Sequence, residues 1–453
     1  MKLAQIARIF SIALVLSGIF YLSIYTKLSN YTSIAPGINN KGYQKSFPSI
    51  NLSETEKATL VAKDPEVHSY YSFDNEGLSI YASAEDKANF NAECKVYYEE
   101  FEIFKTLFKN ADIESLKIIY EKKGTQKLNI DQYEGYLPTK EKELSTLPLS
   151  DVRIALDPGH LGGSMETAMM EGKFVRIKNH DGSITEFNEG NIALKTAEIL
   201  AKKLEAQGAK VMLTRNKPGM SALDMSYEDW LKASFEFALE KALKDGELSN
   251  TDYTKLKKNR DKKEIHDLLF KRLDIEERAR KINQFRPDLC LVIHYNVDEE
   301  NYLNRDRENQ LLKGTNANYS MVFMPGGFLK HELAKKEERI ELMRLLMTND
   351  LAVSLRLNSM IMDELLEHLK VPPISPDSEM GYIRNASIFT GHEGVFARNL
   401  ALTRMVHAPI CYTEPLCQDN IKEYPRLAEG SRIEEVAEAY FQGIMAFFGA
   451  PNL

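Results

Sequence analysis

From Val152 onward, short apolar runs alternate with amphipathic stretches, and this alternation constrains the fold more than any other feature of the chain. The runs at residues 152–156, 210–214 and 289–294 have the length and composition of buried strands. Between the first two, residues 191–207 place Ile192, Leu194, Ile199, Leu200 and Leu204 on one helical stripe, and Gly208 stands where a helix C-cap belongs. A further helix carrying Arg278, Ala279 and Ile282 leads into the third run. The order β-α-β-α-β predicts an α/β fold, a mostly parallel or mixed sheet flanked by helices. An apolar strand at 408–412 and a terminal helix over 433–448 complete it, while the charged helical stretches 217–270 and 328–370 read as insertions.

The N-terminus sets the compartment. Lys2 and Arg8 precede an uncharged run over residues 9–25, so residues 1–25 are expected to be a signal peptide or membrane anchor, with the body of the protein outside the cytoplasm. Residues 26–50, rich in Ser, Asn, Gly and Pro, read as a tether. Residues 51–148 carry no chemical motif and read as a small, mainly helical accessory region that packs on the main domain, residues 149–453, or contacts a partner. A net charge of −8 argues against a nucleic-acid binder that relies on a global positive field. The four cysteines are too few for a disulfide scaffold at 453 residues. In an exported chain the pair best placed to bridge is Cys411 with Cys417, whereas Cys290 reads as a small core residue.

Chemistry concentrates at the strand ends. His160 closes Asp157-Pro158-Gly159-His160 directly after the first strand, where open α/β sheets place their sites. Gly159, Gly162 and Gly163 permit a tight loop there. A phosphate cradle is disfavoured, because no G-x-G-x-x-G, no Walker lysine and no immediately following helix accompany them. Glu189 stands just before the helix at 191–207, either as a ligand projecting from the top of the sheet or as a helix-capping acid. The hairpin-like stretch 174–185 and its flank supply rival ligands, His180 and Glu186, the former in a turn sequence that favours a solvated side chain. His294 ends the third strand, and Glu414 follows the last one, which would bring both to the rim that holds His160. Two imidazoles and a carboxylate form a catalytic zinc set with one position left open. A further carboxylate outside the ligand set is what hydrolysis needs to accept a proton from water.

Six segments in order, 154–160, 189–194, 211–215, 276–279, 292–296 and 409–414, resemble the zinc-dependent N-acetylmuramoyl-L-alanine amidases of bacterial cell walls, the amidase type 3 family. The resemblance implies zinc (Zn2+) held by His160, Glu189 and His294, with Glu414 as general base. It implies peptidoglycan as substrate, cleaved at the amide between N-acetylmuramic acid and L-alanine, and a location in the periplasm or cell envelope. Arg278 is expected to anchor the segment ahead of the His294 strand. The sequence departs from shorter family members in Leu161, in the long stretch between the first two ligands and in the two insertions, which marks an atypical subgroup. Residues 331–347, with Glu332, Glu337, Glu338 and Glu341, fall near where some members hold a helix that covers the metal until an activator or division protein removes it, so two readings stand there: a solvated charged helix, which the charge run favours, and a gating helix. Two other readings are cleavage of a different wall amide and a non-catalytic peptidoglycan-binding role; retention of all four site residues disfavours the second.

Overall fold

The computed structural model describes residues 52–128, 149–304 and 311–449. The expected signal or anchor at 1–25 and the tether at 26–50 lie outside them. Among the described residues no helix is long and apolar enough to cross a membrane.

The N-terminal region is mainly helical, as expected, and adds a three-stranded antiparallel sheet of β1 (Tyr71–Phe73), β2 (Gly77–Ile80) and β3 (Cys94–Tyr97). Strands of three or four residues are too short to leave a readable period of two. The main domain follows with β4 (Arg153–Pro158), a hairpin of β5 (Phe174–Lys178) and β6 (Ile184–Asn188), then β7 (Lys210–Leu213), β8 (Leu289–Ile293), β9 (Met321–Met324), β10 (Ile388–Phe389), β11 (Val395–Ala397) and β12 (Ile410–Glu414). Seven strands form one sheet in the order β10-β11-β9-β12-β8-β4-β7. β12, β8, β4 and β7 run parallel, whereas β9 is antiparallel to β12 and β10 to β11, so the sheet is mixed.

Alternation along the strands distributes side chains to two cores. Ile154, Leu156, Leu289, Leu291 and Ile293 face one core, together with helices Glu189–Ala206, Asp350–Leu369 and Ser431–Phe447. Ala155, Cys290 and Val292 face the other, against Ala279 and Ile282 of helix Lys271–Phe285. Helix Asp350–Leu369 is therefore a structural layer of the domain rather than an appended insertion; Asn358 on it donates to the Ile410 carbonyl at 2.8 Å.

The helix Lys336–Met347 corrects both readings of residues 331–347: it is buried from Arg339 to Met347 rather than solvated, and it lies away from the site. Its Glu341 pairs with His407 at 2.8 Å, and Arg344 donates to the Arg404 carbonyl at 3.0 Å. Both partners precede β12, so this helix sits at the opposite end of the strand from Glu414. Its other charges hold the N-terminal region: Arg339 pairs with Glu93 at 2.8 Å and Glu337 with Lys117 at 2.6 Å. Burial alone would raise the Glu341 carboxyl, but its pairing with His407 and with the Arg344 guanidinium holds it down at about 2. The acidic run is thus neutralised inside a junction, far from the rim where the predicted ligands gather.

The stretch 217–270 does form a distinct unit. Helices Tyr227–Ala233, Phe235–Lys244 and Asn250–Asn259 enclose a small core of Tyr227, Trp230, Phe235, Leu239, Leu256 and Phe270. Leu161, the residue after His160, is 1% exposed within that core, which ties the unit to the His160 loop. All four cysteines are buried and unbridged, so the Cys411–Cys417 bridge that the sequence left open is not formed. Cys411 points from β12 into the main core, while Cys417 lies beyond Pro415 beside Tyr319.

Candidate metal centre

The parallel strands β4, β8 and β12 end on one rim and deliver His160, His294 and Glu414 there. The His160 loop is clamped from below by two buried arginines. Arg278 donates to the carbonyls of Pro158 at 2.8 Å and His160 at 3.1 Å, and pairs with Asp157 at 3.0 Å and Asp274 at 2.7 Å. Arg215 donates to the carbonyls of Pro158, Gly159 and Gly190 at 3.1, 2.8 and 2.7 Å. These contacts hold His160 in the left-handed region, at φ 59°, a conformation that costs an L-residue about 1 kcal/mol. Gly159 is required for a different reason: a Cβ there would lie 2.3 Å from His294 Cε1, so only glycine lets the two histidines approach.

Glu189 is the first residue of its helix, and the cap is Asn188, whose side chain accepts from Asn191 N at 2.8 Å. The capping alternative for Glu189 is thereby assigned to its neighbour, leaving the carboxylate for the rim. Its Oε1 lies 3.2 Å from His160 Nε2 and 3.0 Å from His294 Nδ1. Ligand atoms of His160, Glu189 and His294 all fall within 4.8 Å of one another. Burial would raise the Glu189 carboxyl, but Lys173, 3.7 Å away, and the two histidines hold it well below its ordinary value. Gln418 Nε2 and Tyr295 N also donate to it, each at 3.2 Å. Burial pushes His294 down to about 4, which keeps its imidazole neutral and fit to ligate. The His294 ring stacks on Tyr412 at 4.6 Å.

The residues fit a metal. His160 Nε2 is buried without a well-aligned hydrogen bond while it faces the ligand atoms of Glu189 and His294, and an imidazole nitrogen left so is well suited to coordination. His180 and Glu186 stay out of the cluster: both are exposed on the β5–β6 hairpin, and Glu186 pairs with Arg176 at 3.2 Å. Thr413 is in register with Ile293, so Glu414 stands level with His294 and on the sheet face of Tyr412. It is not one of the clustered donors.

Sequence reasoning missed Glu171. It ends helix Met165–Glu171, accepts from Leu161 N at 3.2 and 3.1 Å, and lies 3.7 Å from His160 Nδ1. At that separation the carboxylate favours the His160 ring orientation that turns Nδ1 toward it and Nε2 toward Glu189 and His294. For a metal held at this cluster, Glu171→Gln is expected to weaken binding about 10- to 100-fold, measured by competition against a chromogenic chelator. Nothing in the local sequence marks Glu171, whereas Arg215 follows a strand directly and was visible, without a role, in the segment 211–215.

A family model described as N-acetylmuramoyl-L-alanine amidase matches residues 154–446. The chain belongs to the N-acetylmuramoyl-L-alanine amidase family. This amidase is a hydrolase of peptidoglycan, acting on the amide between N-acetylmuramic acid and L-alanine. Similar solved structures include the amidase Ami1 from Mycobacterium smegmatis, 15% identical over 67% of this chain and 99% of that one, with a TM-score of 0.38. Another is the CwlD amidase from Clostridioides difficile, solved in complex with the GerS lipoprotein, 16% identical over 66% of this chain and 98% of that one, with a TM-score of 0.36. No curated protein matches the sequence.

Proposed function

We propose that the amidase is zinc-dependent, with His160, Glu189 and His294 as the protein ligands and Glu414 as the general base. The observation that carries this is the convergence of three donor atoms within 4.8 Å on the rim where β12 delivers Glu414. Zinc bound there supplies a Lewis acid that lowers the pKa of water and polarises a carbonyl. The Glu414 carboxylate takes a proton from the attacking water as its oxygen joins the lactyl carbonyl carbon. Glu414 then returns that proton to the amide nitrogen as the C–N bond breaks, leaving a lactyl carboxylate on the glycan and a free L-alanine amine. The rigid ligand scaffold, His160 under its arginine clamp and His294 against Tyr412, holds these groups without reorganisation.

In this reading residues 149–453 form the catalytic domain, residues 51–148 an accessory region, and residues 9–25 a signal or an anchor in the inner membrane that places the enzyme against the wall. Regulation by an activator is not routed through helix Lys336–Met347, which lies at the opposite rim. The test is metal analysis combined with product analysis on purified peptidoglycan. About one zinc per chain, activity lost to a chelator and restored by zinc, and released peptides that begin with L-alanine are expected. Full activity in zinc-free protein would sink the metal assignment, and peptides lacking that alanine would assign the enzyme to another wall amide.

A further inference from the structure

Glu171 is shared between the metal centre and the helical unit 217–270. Its Oε1 lies 3.7 Å from Nδ1 of His160 and 3.9 Å from Nε2 of His266. His266 is 4% exposed, and its other nitrogen, Nδ1, lies 2.9 Å from Asp267 Oδ1. Tyr227 meets the His266 ring edge-on at 5.6 Å, with Phe270 at 5.9 Å, so the ring is walled in by the core of the inserted unit. The backbone is also specialised here: residues His266–Phe270 form a π turn that runs directly into helix Lys271–Phe285, the helix that carries Arg278. π turns inside longer helices are rare and recur at functional sites, because the extra residue re-aims side chains that a regular helix would point elsewhere.

We propose that His266 is a positioning residue for the zinc ligand His160, acting through Glu171, and that the inserted unit thereby sets how tightly the amidase holds its metal. The inference rests on His160 being a ligand. A buried carboxylate with one neighbour can rotate about its last bond. Glu171 accepts from the Leu161 N–H and stands within ion-pairing reach of both His160 and His266, and two of those three neighbours belong to or are embedded in the inserted unit, since Leu161 lies in its core. Fixing Glu171 fixes the His160 ring, whose Nε2 must face Glu189 and His294. The chain Asp267–His266–Glu171–His160 thus links a surface carboxylate of the insertion to the ligand set.

The experiment measures zinc affinity by chelator competition, and the visible spectrum of the cobalt-substituted protein, in the full-length chain. The variants are His266→Phe, His266→Ala, His266→Gln, Glu171→Gln, the His266→Phe/Glu171→Gln double variant and His160→Ala. Loss of the imidazole by Phe or Ala should weaken zinc binding about three- to tenfold and shift the cobalt bands, with Gln, which keeps a donor, recovering most of the affinity. In the Glu171→Gln background, His266→Phe should add no further loss, because the route is already cut. A merely structural His266 would weaken binding equally in both backgrounds, and that result, or parent-like affinity in folded Phe and Ala variants, overturns the proposal. If His160→Ala binds zinc as tightly as the parent, the ligand assignment itself has failed, which separates the two failures.

Discussion

With Glu414 as the proposed general base, its replacement by glutamine is expected to lower kcat on peptidoglycan about 100- to 10,000-fold while leaving zinc content at the parent value. The amide is nearly isosteric with the carboxylate, so the end of β12 and its register beside His294 are preserved. What is lost is the capacity to accept a proton from water and deliver it to a poor leaving group, the nitrogen of an amide. Because Glu414 stands outside the cluster of His160, Glu189 and His294, metal content and catalysis separate in this variant. Single-turnover rates on a soluble muramoyl peptide, read beside zinc analysis, provide the measurement. A variant with parent-like turnover would remove Glu414 from the mechanism, and one that loses its zinc would make it a ligand.

The second large effect is on stability. Arg278→Met should destabilise the fold by about 3–5 kcal/mol, because it strands two buried carboxylates, Asp157 and Asp274, without their shared cation. It also releases the carbonyls of Pro158 and His160, which hold the left-handed turn at His160 in place. Zinc affinity should therefore fall together with the urea midpoint. Arg278→Lys should recover only part of either, since an ammonium cannot span four acceptors with the fixed fork of a guanidinium. Exposed Arg280, whose partner is Glu277 on the same helix, serves as the comparison: its replacement by alanine should move stability by no more than about 0.5 kcal/mol. Equal midpoints for Arg278→Met and the parent would dispose of the clamp.

Much of this site could be read before the fold was known. His160, His294 and Glu414 each follow an apolar run long enough to be a strand, and three parallel strands must end on one rim. Glu189 was legible only as one of two choices, because its role depends on Asn188 taking the cap. Glu171 and His266 were not legible at all. Their significance lies in distances of 3.7 and 3.9 Å to partners 11 and 95 positions away, and a one-dimensional pattern does not carry such distances. The acidic run at 331–347 misled for the same reason: Lys117, Arg404 and His407, which neutralise it, come from distant parts of the chain. β9, β10 and β11, of two to four residues, were invisible to periodicity, which is why the sequence left a mostly parallel and a mixed sheet both open until the strand pairing decided for the mixed one.

The N-terminal region shares one apolar interior with the amidase fold: Phe104, Phe108 and Tyr120 lie in the same core as Leu342, Leu346 and the face of β4 and β8. Cutting the chain between them would bare a broad oily wall on the helix Lys336–Met347, and a wall of that kind drives self-association rather than yielding a smaller enzyme. The region without a chemical motif therefore belongs to the solubility of the catalyst, and a shorter amidase of this type would have to be resurfaced, not merely trimmed.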